Sequence, residues 1–238
     1  MSKKLYYAFV SIAIVLVGFV YLGIADLIYS SSIKSEESKI KYFISSISSY
    51  CSASVDKQNL AYLIDNIKPN MPEADRRVIE QSPQFQAVLK QLHLIGNHFS
   101  DYCTYIYIIY PIDDQTYFVI GNDYFEIKNI DKYSEAFNTS PFPFMEQALK
   151  ERRPITEPDL SYDPDYKIYS ISAYAPIYSD YRFLGVVGLD LQKSDYDKLR
   201  YSYAVIGIII SFLGLSCMVT TTLFISEKIS QHNISKRK

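Results

Sequence analysis

Two long apolar stretches, one near each end of the chain, constrain its fold most strongly. Residues 5–24 and residues 204–225 contain no charged side chain. A helix rises about 1.5 Å per residue, so twenty residues reach across a hydrocarbon core of roughly 30 Å. The sequence therefore predicts two transmembrane helices. A cleaved signal peptide is the alternative for the first stretch, but its apolar core is longer than a usual signal core.

Basic residues flank the two stretches on the sides that face the chain ends. Lys3 and Lys4 precede the first stretch. Four more basic residues follow the second: Lys228, Lys236, Arg237 and Lys238. Since lysine and arginine concentrate on the cytoplasmic side of a membrane, we expect a two-pass membrane protein with both termini in the cytoplasm.

The two spans divide the chain into four parts. We expect a cytoplasmic N-terminus and first membrane helix over residues 1–29, and an outer domain over residues 30–200. A second membrane helix over 201–225 and a short cytoplasmic tail over 226–238 follow. The outer domain is long enough to bury its own core. With 24 basic and 26 acidic residues and no basic stripe, the chain is not expected to bind nucleic acid.

The outer domain begins with a predicted helix over residues 30–55 that continues out of the first span. Its apolar positions fall close to a seven-residue spacing: Ile33, Ile40, Ile44, Ile47, Cys51 and Val55. This stripe either packs only on its own domain or also lines a homodimer, and the spacing leaves both open. Further helices are predicted over residues 56–68, 83–97 and 144–151, with another helical segment starting at Pro72.

The cysteines leave open whether the outer domain contains a disulfide. Cys51 and Cys103 both fall in the outer domain, where an oxidising compartment permits a disulfide. Because the sequence does not give the distance between them, a disulfide and two buried or free thiols are both open. Cys217 lies in the second span, where we expect it to contribute to packing.

Two pairs of strands predict an antiparallel sheet. Residues 104–112 and 115–121 form one hairpin, and residues 168–177 and 183–191 form a second with a polar turn at 179–181. Both faces of the first strand are largely apolar, which predicts a central position in the sheet. Gly185 and Gly188 leave room for a bulge or for close approach of another backbone. Residues 122–141 and 152–165 are predicted to be irregular.

The second hairpin resembles the final hairpin of Cache domains, the extracytoplasmic PAS-like sensor modules of bacterial receptors. The matching pattern is A-x-A-P-I-Y at residues 173–178 followed by F-L-G-V-V-G-L-D-L at 183–191. The segments YIYIIY at 105–110 and YFVI at 117–120 are similar to the first central strands of that fold. The resemblance covers roughly residues 85–191.

This resemblance implies both an architecture and a function. The implied fold is α+β, a PAS-like antiparallel sheet with a long N-terminal helix, flanked by two transmembrane helices of the bacterial inner membrane. The implied function is binding of a small molecule by the periplasmic or extracellular domain of a homodimer. A movement of the second span would then reach a cytoplasmic output module. Many amino-acid-binding members carry an Arg-x-Trp motif, and this chain has no tryptophan, which argues against that ligand class.

We find no catalytic constellation in the sequence. His93 and His98 are five residues apart, about 140° around a helix, so they do not form the pair that a helical zinc site uses. The Asp163-Pro164-Asp165 sequence lacks the ligand series of a calcium loop and is typical of a turn. We therefore expect no enzyme activity, no metal and no cofactor.

A small-molecule pocket is the better hypothesis, since ligand sites combine aromatic walls with a few directed polar groups. The candidate lining residues are Tyr105, Tyr107, Tyr117, Asp123, Ser170, Ser172, Tyr174 and Asp190. For each tyrosine the alternative is ordinary core packing with a satisfied hydroxyl. For Asp190 the alternative is a structural carboxylate that caps the turn into the next segment.

The short tail limits what the chain can do alone. Residues 226–238 are helix-compatible and are too few for an enzymatic output. We therefore expect either a receptor fragment that lacks its output domain or a chain that contacts a cytoplasmic signalling partner. The rival function is a non-catalytic envelope adaptor whose PAS-like domain binds another protein.

Overall fold

The computed structural model describes residues 3–126, 131–164 and 166–235. Within the terminal helices the side chains of residues 3–11, 13, 14, 202–208 and 225–235 lie outside that description. The chain divides into two compact units. One unit comprises Met1–Glu37 and Leu199–Lys238, and the other is Ser38–Lys198.

Helix α1 (Lys3–Ser54) is continuous, as the sequence predicts for the helix that leaves the first span. Among the described residues, one stretch, Val15–Ser54, is long and apolar enough to cross a membrane by length and composition. Helix α6 (Lys193–Ser235) contains a shorter apolar stretch, Ile209–Phe224. Residues 194–200, which join the last predicted strand to this stretch, form the first turns of α6.

Within the first unit, α1 and α6 contact each other at two levels. The hydroxyl of Tyr21 donates a hydrogen bond to the backbone carbonyl of Ser211, and its ring lies against Gly214. A second contact joins the guanidinium of Arg200 to the carboxylate of Glu37 at 2.8 Å. These contacts fix the register of the two helices inside that unit.

The second unit contains four shorter helices. They are α2 (Lys57–Asp65), α3 (Glu73–Glu80), α4 (Pro83–His98) and α5 (Pro143–Glu151), all close to predicted segments. Side chains at two N-termini explain where the helices begin. Asp56 accepts hydrogen bonds from two backbone amides of α2, and Ser82 accepts one from Phe85 of α4.

In the described part of the chain, seven antiparallel strands form one sheet: β1 (Tyr105–Ile112), β2 (Gln115–Gly121), β3 (Ala136–Phe137), β4 (Ile155–Thr156), β5 (Ser161–Asp163), β6 (Ile168–Ser179) and β7 (Arg182–Gln192). Their order is β3-β2-β1-β7-β6-β4, and β5 also pairs with β6. The central position predicted for β1 and the hairpin β6–β7 are confirmed. The irregular segments were predicted wrongly in part, because they contain β3, β4 and β5.

The predicted bulge and close approach both occur in β7. Gly185 has a φ of 110° and lies beside the register shift between Ile177 and Tyr178, so a glycine is required there. A Cβ on Gly188 would lie 2.5 Å from Cζ of Tyr107, so the missing side chain makes room for the tyrosine ring.

The core lies between one face of the sheet and the helices. Helices α2 and α4 contact the long strands, whose helix-facing positions are fully buried. These positions include Ile106, Ile108, Ile171, Ala173, Val187 and Leu189. Cys51 and Cys103 are both buried and free, and burial raises the pKa of the Cys51 thiol to about 12. The opposite face of the sheet carries the polar residues.

Candidate ligand-binding site

Strand register brings polar and aromatic side chains together on the open face of the sheet. Asp190 of β7 pairs with Tyr105 on one side and with Ser172 on the other. These three residues form a first row across the sheet. Two residues along β7, Gly188 pairs with Tyr107 on one side and with Tyr174 on the other, which gives a second row. Because directly paired residues point to the same face, the side chains of both rows project from one side of the sheet.

A small cavity lies above these two rows. Its volume is about 20 Å³, enough for one water-sized group. The lining residues are Tyr105, Tyr107, Asp131, Phe137, Phe142, Asp163, Tyr166, Ser170, Ser172, Tyr174 and Asp190. Of the eight residues that the sequence nominated, the structure places all but Tyr117 and Asp123 around this cavity.

The tyrosine side of the cavity is rigidly packed. The rings of Tyr105 and Tyr107 stack with their centroids 5.1 Å apart and their planes inclined by 28°. Gly121 and Gly188 lie against these two rings at distances that leave no room for a Cβ. The hydroxyl of Tyr105 is enclosed and has no hydrogen-bond partner in the described part of the chain. The positions of these two rings are therefore fixed by packing.

Asp190 has the most unusual environment of the site. The residue as a whole keeps some accessible surface, but its Oδ1 atom is enclosed and accepts no hydrogen bond from any described residue. Loss of solvent raises the pKa of this carboxyl well above its ordinary value, an effect that the neighbouring Ser172 opposes. An enclosed carboxyl oxygen without a donor is costly, so Oδ1 of Asp190 is an acceptor that a ligand can satisfy.

Glu157 is a site residue that the sequence analysis missed. It follows β4 and is only 1% exposed. Its Oε2 accepts hydrogen bonds from the hydroxyl of Ser161 at 2.9 Å and from the backbone amide of Ser172 at 3.1 Å. Its Oε1 accepts the hydroxyl of Tyr174 at 3.2 Å. Burial raises the pKa of Glu157 to about 6, and these hydrogen bonds oppose the shift.

Two further acids and a tyrosine close the opposite side of the cavity. The hydroxyl of Tyr166 donates to Oδ2 of Asp131 at 3.2 Å, and its backbone amide donates to Oδ1 of Asp163 at 3.0 Å. The second contact is the turn that the Asp163-Pro164-Asp165 sequence predicts. Asp165 itself lies outside the described residues. The turn signal was visible, but nothing in it indicated that Asp163 and Tyr166 line a cavity.

The two nominated residues outside the cavity have other surroundings. Tyr117 on β2 is buried, and its hydroxyl donates to Oε1 of Gln115 at 2.8 Å. Asp123 follows β2, and its Oδ1 is enclosed without a hydrogen-bond partner among the described residues. Burial raises the pKa of Asp123 to about 6. Burial raises the pKa of Tyr105 well above its ordinary value, and the charge of Asp123 adds to that shift.

All charged residues among the described residues that line the cavity are acidic. Three of the lining residues are acidic, namely Asp131, Asp163 and Asp190. None of the described lining residues is lysine, arginine or histidine. Carboxylates in a partly enclosed space favour a cation and disfavour an anion.

Comparison with solved structures finds sensory domains of bacterial receptors. The ligand-binding domain of the Pseudomonas aeruginosa PAO1 amino-acid chemoreceptor PctC, in complex with GABA, is 15% identical, with 76% of this chain and 67% of that one covered at a TM-score of 0.45. The sensor domain of the Vibrio cholerae histidine kinase DctB is 8% identical, with 76% and 60% covered at a TM-score of 0.47. The sensory domain of the Campylobacter jejuni chemoreceptor Tlp3 is 17% identical, with 74% and 66% covered at a TM-score of 0.34.

The other comparisons add no relative. No protein-family model matches the chain, and a search of curated proteins finds no match. The chain spans roughly two thirds of the length of the sensory domains it matches. These domains are of the Cache type that the last hairpin resembles.

Proposed function

We propose that the chain is a two-span receptor of the bacterial inner membrane whose outer, Cache-like domain binds a small cationic molecule. Both termini are cytoplasmic, and ligand binding is passed through the second membrane helix to a cytoplasmic output module or partner. The enclosed Oδ1 atom of Asp190, which has no hydrogen-bond partner in the described part of the chain, is the observation that carries this proposal.

The chemistry of the lining favours an ammonium group. An enclosed carboxyl oxygen without a donor, such as Oδ1 of Asp190, loses the hydrogen bonds that water would supply. An ammonium carries three donors and a charge that stabilises the ionised form of Asp190. The aromatic faces of Tyr105 and Tyr107 add favourable surroundings for a cation. No described lining residue supplies a competing positive charge.

The size of the cavity implies a ligand-dependent state. Its volume of about 20 Å³ accepts the ammonium group but not the rest of a larger molecule. Binding therefore requires displacement of the side that carries Tyr166, Phe137 and Phe142. A ligand that favours this displaced arrangement shifts the population towards it, which is what a receptor domain needs.

The position of Asp190 supplies a short covalent route to the membrane. It lies in β7, three residues before Lys193, where α6 begins. A change in the hairpin β6–β7 on ligand binding is therefore applied to the start of the helix that contains the second span. A small displacement of that helix is sufficient for signalling.

A homodimer through α1 is part of the same proposal. The stripe that includes Ile40, Ile44 and Ile47 is buried within the domain, so its partner is the chain itself. A different part of α1 is aromatic and exposed: Tyr42, Phe43 and Tyr50 are 70%, 43% and 54% accessible. This second surface is suited to a neighbouring copy.

Thermal unfolding of the full chain in detergent tests the ligand. Because the chain lacks tryptophan, unfolding is followed with a thiol-reactive dye that reports exposure of Cys51 and Cys103, in a C217S background. A primary amine at a hundred times its dissociation constant should stabilise the fold by about 2.7 kcal/mol, or roughly 5–10 °C. The alcohols and carboxylates of matching length should have no effect, and D190N should abolish the response.

Two results would contradict the proposal. Stabilisation by carboxylates rather than amines would overturn the cationic ligand. A well-folded chain that no compound stabilises would favour the rival function, an adaptor with a constant protein-binding surface.

A further inference from the structure

A residue outside the cavity determines where the O–H bond of Tyr174 points. Tyr174 lines the cavity, but its hydroxyl donates to Oε1 of Glu157, which is not a lining residue. An ionised carboxylate only accepts hydrogen bonds, and a phenol has a single proton to give. With Glu157 ionised, the Tyr174 proton therefore points away from the cavity. The phenol oxygen is left as an acceptor, which Ser172 and an entering ligand share.

We propose that Glu157 is a positioning residue that fixes the Tyr174 hydroxyl as an acceptor and so restricts the site to ligand groups that only donate hydrogen bonds. The proposal rests on the proposed function for its ligand class. Together with Oδ1 of Asp190, the oriented phenol gives the cavity two acceptors. An ammonium satisfies both, whereas a ligand hydroxyl has only one proton for the two of them.

The surroundings of Glu157 allow one substitution, E157Q, that keeps its structural hydrogen bonds and, its charge apart, changes only its contact with Tyr174. Its Oε2 already has two donors, from Ser161 and Ser172, and these hold the side chain in place. A glutamine would satisfy both donors with its amide oxygen. Its amide nitrogen would then occupy the Oε1 position and donate to Tyr174. The phenol proton would be forced towards the cavity, with little change in shape.

The charge of Glu157 must be separated from its effect on the phenol. Glu157, Asp163 and Asp131 all raise the pKa of Asp190 through their charges, so E157Q lowers that pKa in any case. A double-mutant cycle with Y174F removes this contribution, because the charge change is the same with and without the phenol. What is left is the effect of the redirected phenol proton on the Asp190 carboxyl, which lines the same cavity.

The test is an infrared titration of the full chain in lipid nanodiscs. The carboxyl band of Asp190 is identified by its loss in D190N, and its pKa is measured in wild type, E157Q, Y174F and the double variant. We expect E157Q to lower the Asp190 pKa by about one unit more when Tyr174 is present than in the Y174F background. Equal decreases in the two backgrounds would overturn the proposal.

The Asp190 pKa in Y174F alone is a second test, and it can be carried out even if E157Q does not fold. If the phenol points to Glu157, its removal leaves the Asp190 pKa within a few tenths of a unit. A rise of about one unit in Y174F would mean that Tyr174 already donates to Asp190, and the positioning role would be wrong.

A binding measurement separates this proposal from the ligand class. Affinities for n-butylammonium and 1-butanol are compared in wild type, E157Q and S161A. The preference for the amine should fall at least tenfold in E157Q and stay within twofold in S161A, which loses a donor to Glu157 but not the Tyr174 contact. An equal fall in S161A would count against the positioning role. A wild type that binds neither compound, combined with a positive titration cycle, would refute the cationic ligand and leave the role of Glu157 supported.

Discussion

Acid should stabilise the outer domain through Glu157, opposite to the usual effect of acid on a carboxylate. The side chain is 1% exposed, and burial raises its pKa from the ordinary 4.5 to about 6. Between these two values the folded chain binds more protons than the unfolded chain, so the free energy of unfolding falls as pH rises. The contribution is fully present below about pH 4.5 and is lost as pH rises through 6. A shift of about 1.5 units corresponds to roughly 2 kcal/mol.

E157Q provides the matched comparison, because it keeps the shape and removes the titration. Melting temperatures of the full chain in detergent are measured by circular dichroism from pH 4.5 to pH 7.5. All other titrating groups are common to both proteins. The same comparison is repeated in a D190N background, because the charge of Glu157 also raises the pKa of Asp190. The melting temperature of wild type relative to E157Q should fall by about 4–8 °C over this range. A difference that is independent of pH, or one that rises with pH, would refute the reasoning.

Two further predictions concern packing and helix capping. G188A places a Cβ 2.5 Å from Cζ of Tyr107, so it should lower the free energy of unfolding by about 1–3 kcal/mol, and adding Y107L should recover most of the loss in thermal melts. A G188A variant as stable as wild type would show that the ring moves freely. D56A removes the acceptor for the backbone amides of Gln58 and Asn59, each at 3.0 Å, and should cost about 1 kcal/mol, whereas D56N should cost much less. Equal losses in the two variants would contradict a capping role.

The long elements were predictable because each carries its own periodic signal. The stripe on α1 repeats over several turns, and the hairpins β1–β2 and β6–β7 combine alternating side chains with polar turns. Strands β3, β4 and β5 have only two or three residues, too few for an alternation to be visible. They form because β2 and β6 offer unpaired edges, which is a property of the assembled sheet and not of their own sequence.

The site divides in the same way, between residues set by a strand and residues set by tertiary placement. Asp190 could be nominated because alternation in β7 and the hairpin pattern place it beside β1 and β6. Glu157 could not, because its role depends on the segment after β4 folding back until its carboxylate reaches the amide of Ser172. A lone glutamate before a proline carries no signal of that contact.

The chemistry of the cavity therefore depends on register more than on composition. Ser172 lies opposite Asp190 because the β6–β7 turn is two residues long and Asp180 adopts a φ of 51°. A slip of one residue would place Ile171 or Ala173 beside Asp190 and turn Tyr174 to the opposite face of the sheet. Glu157 would then lose both its amide donor and its phenol. The turn at Asp180 and the register shift between Ile177 and Tyr178 thus together set the register on which the acidic cavity depends.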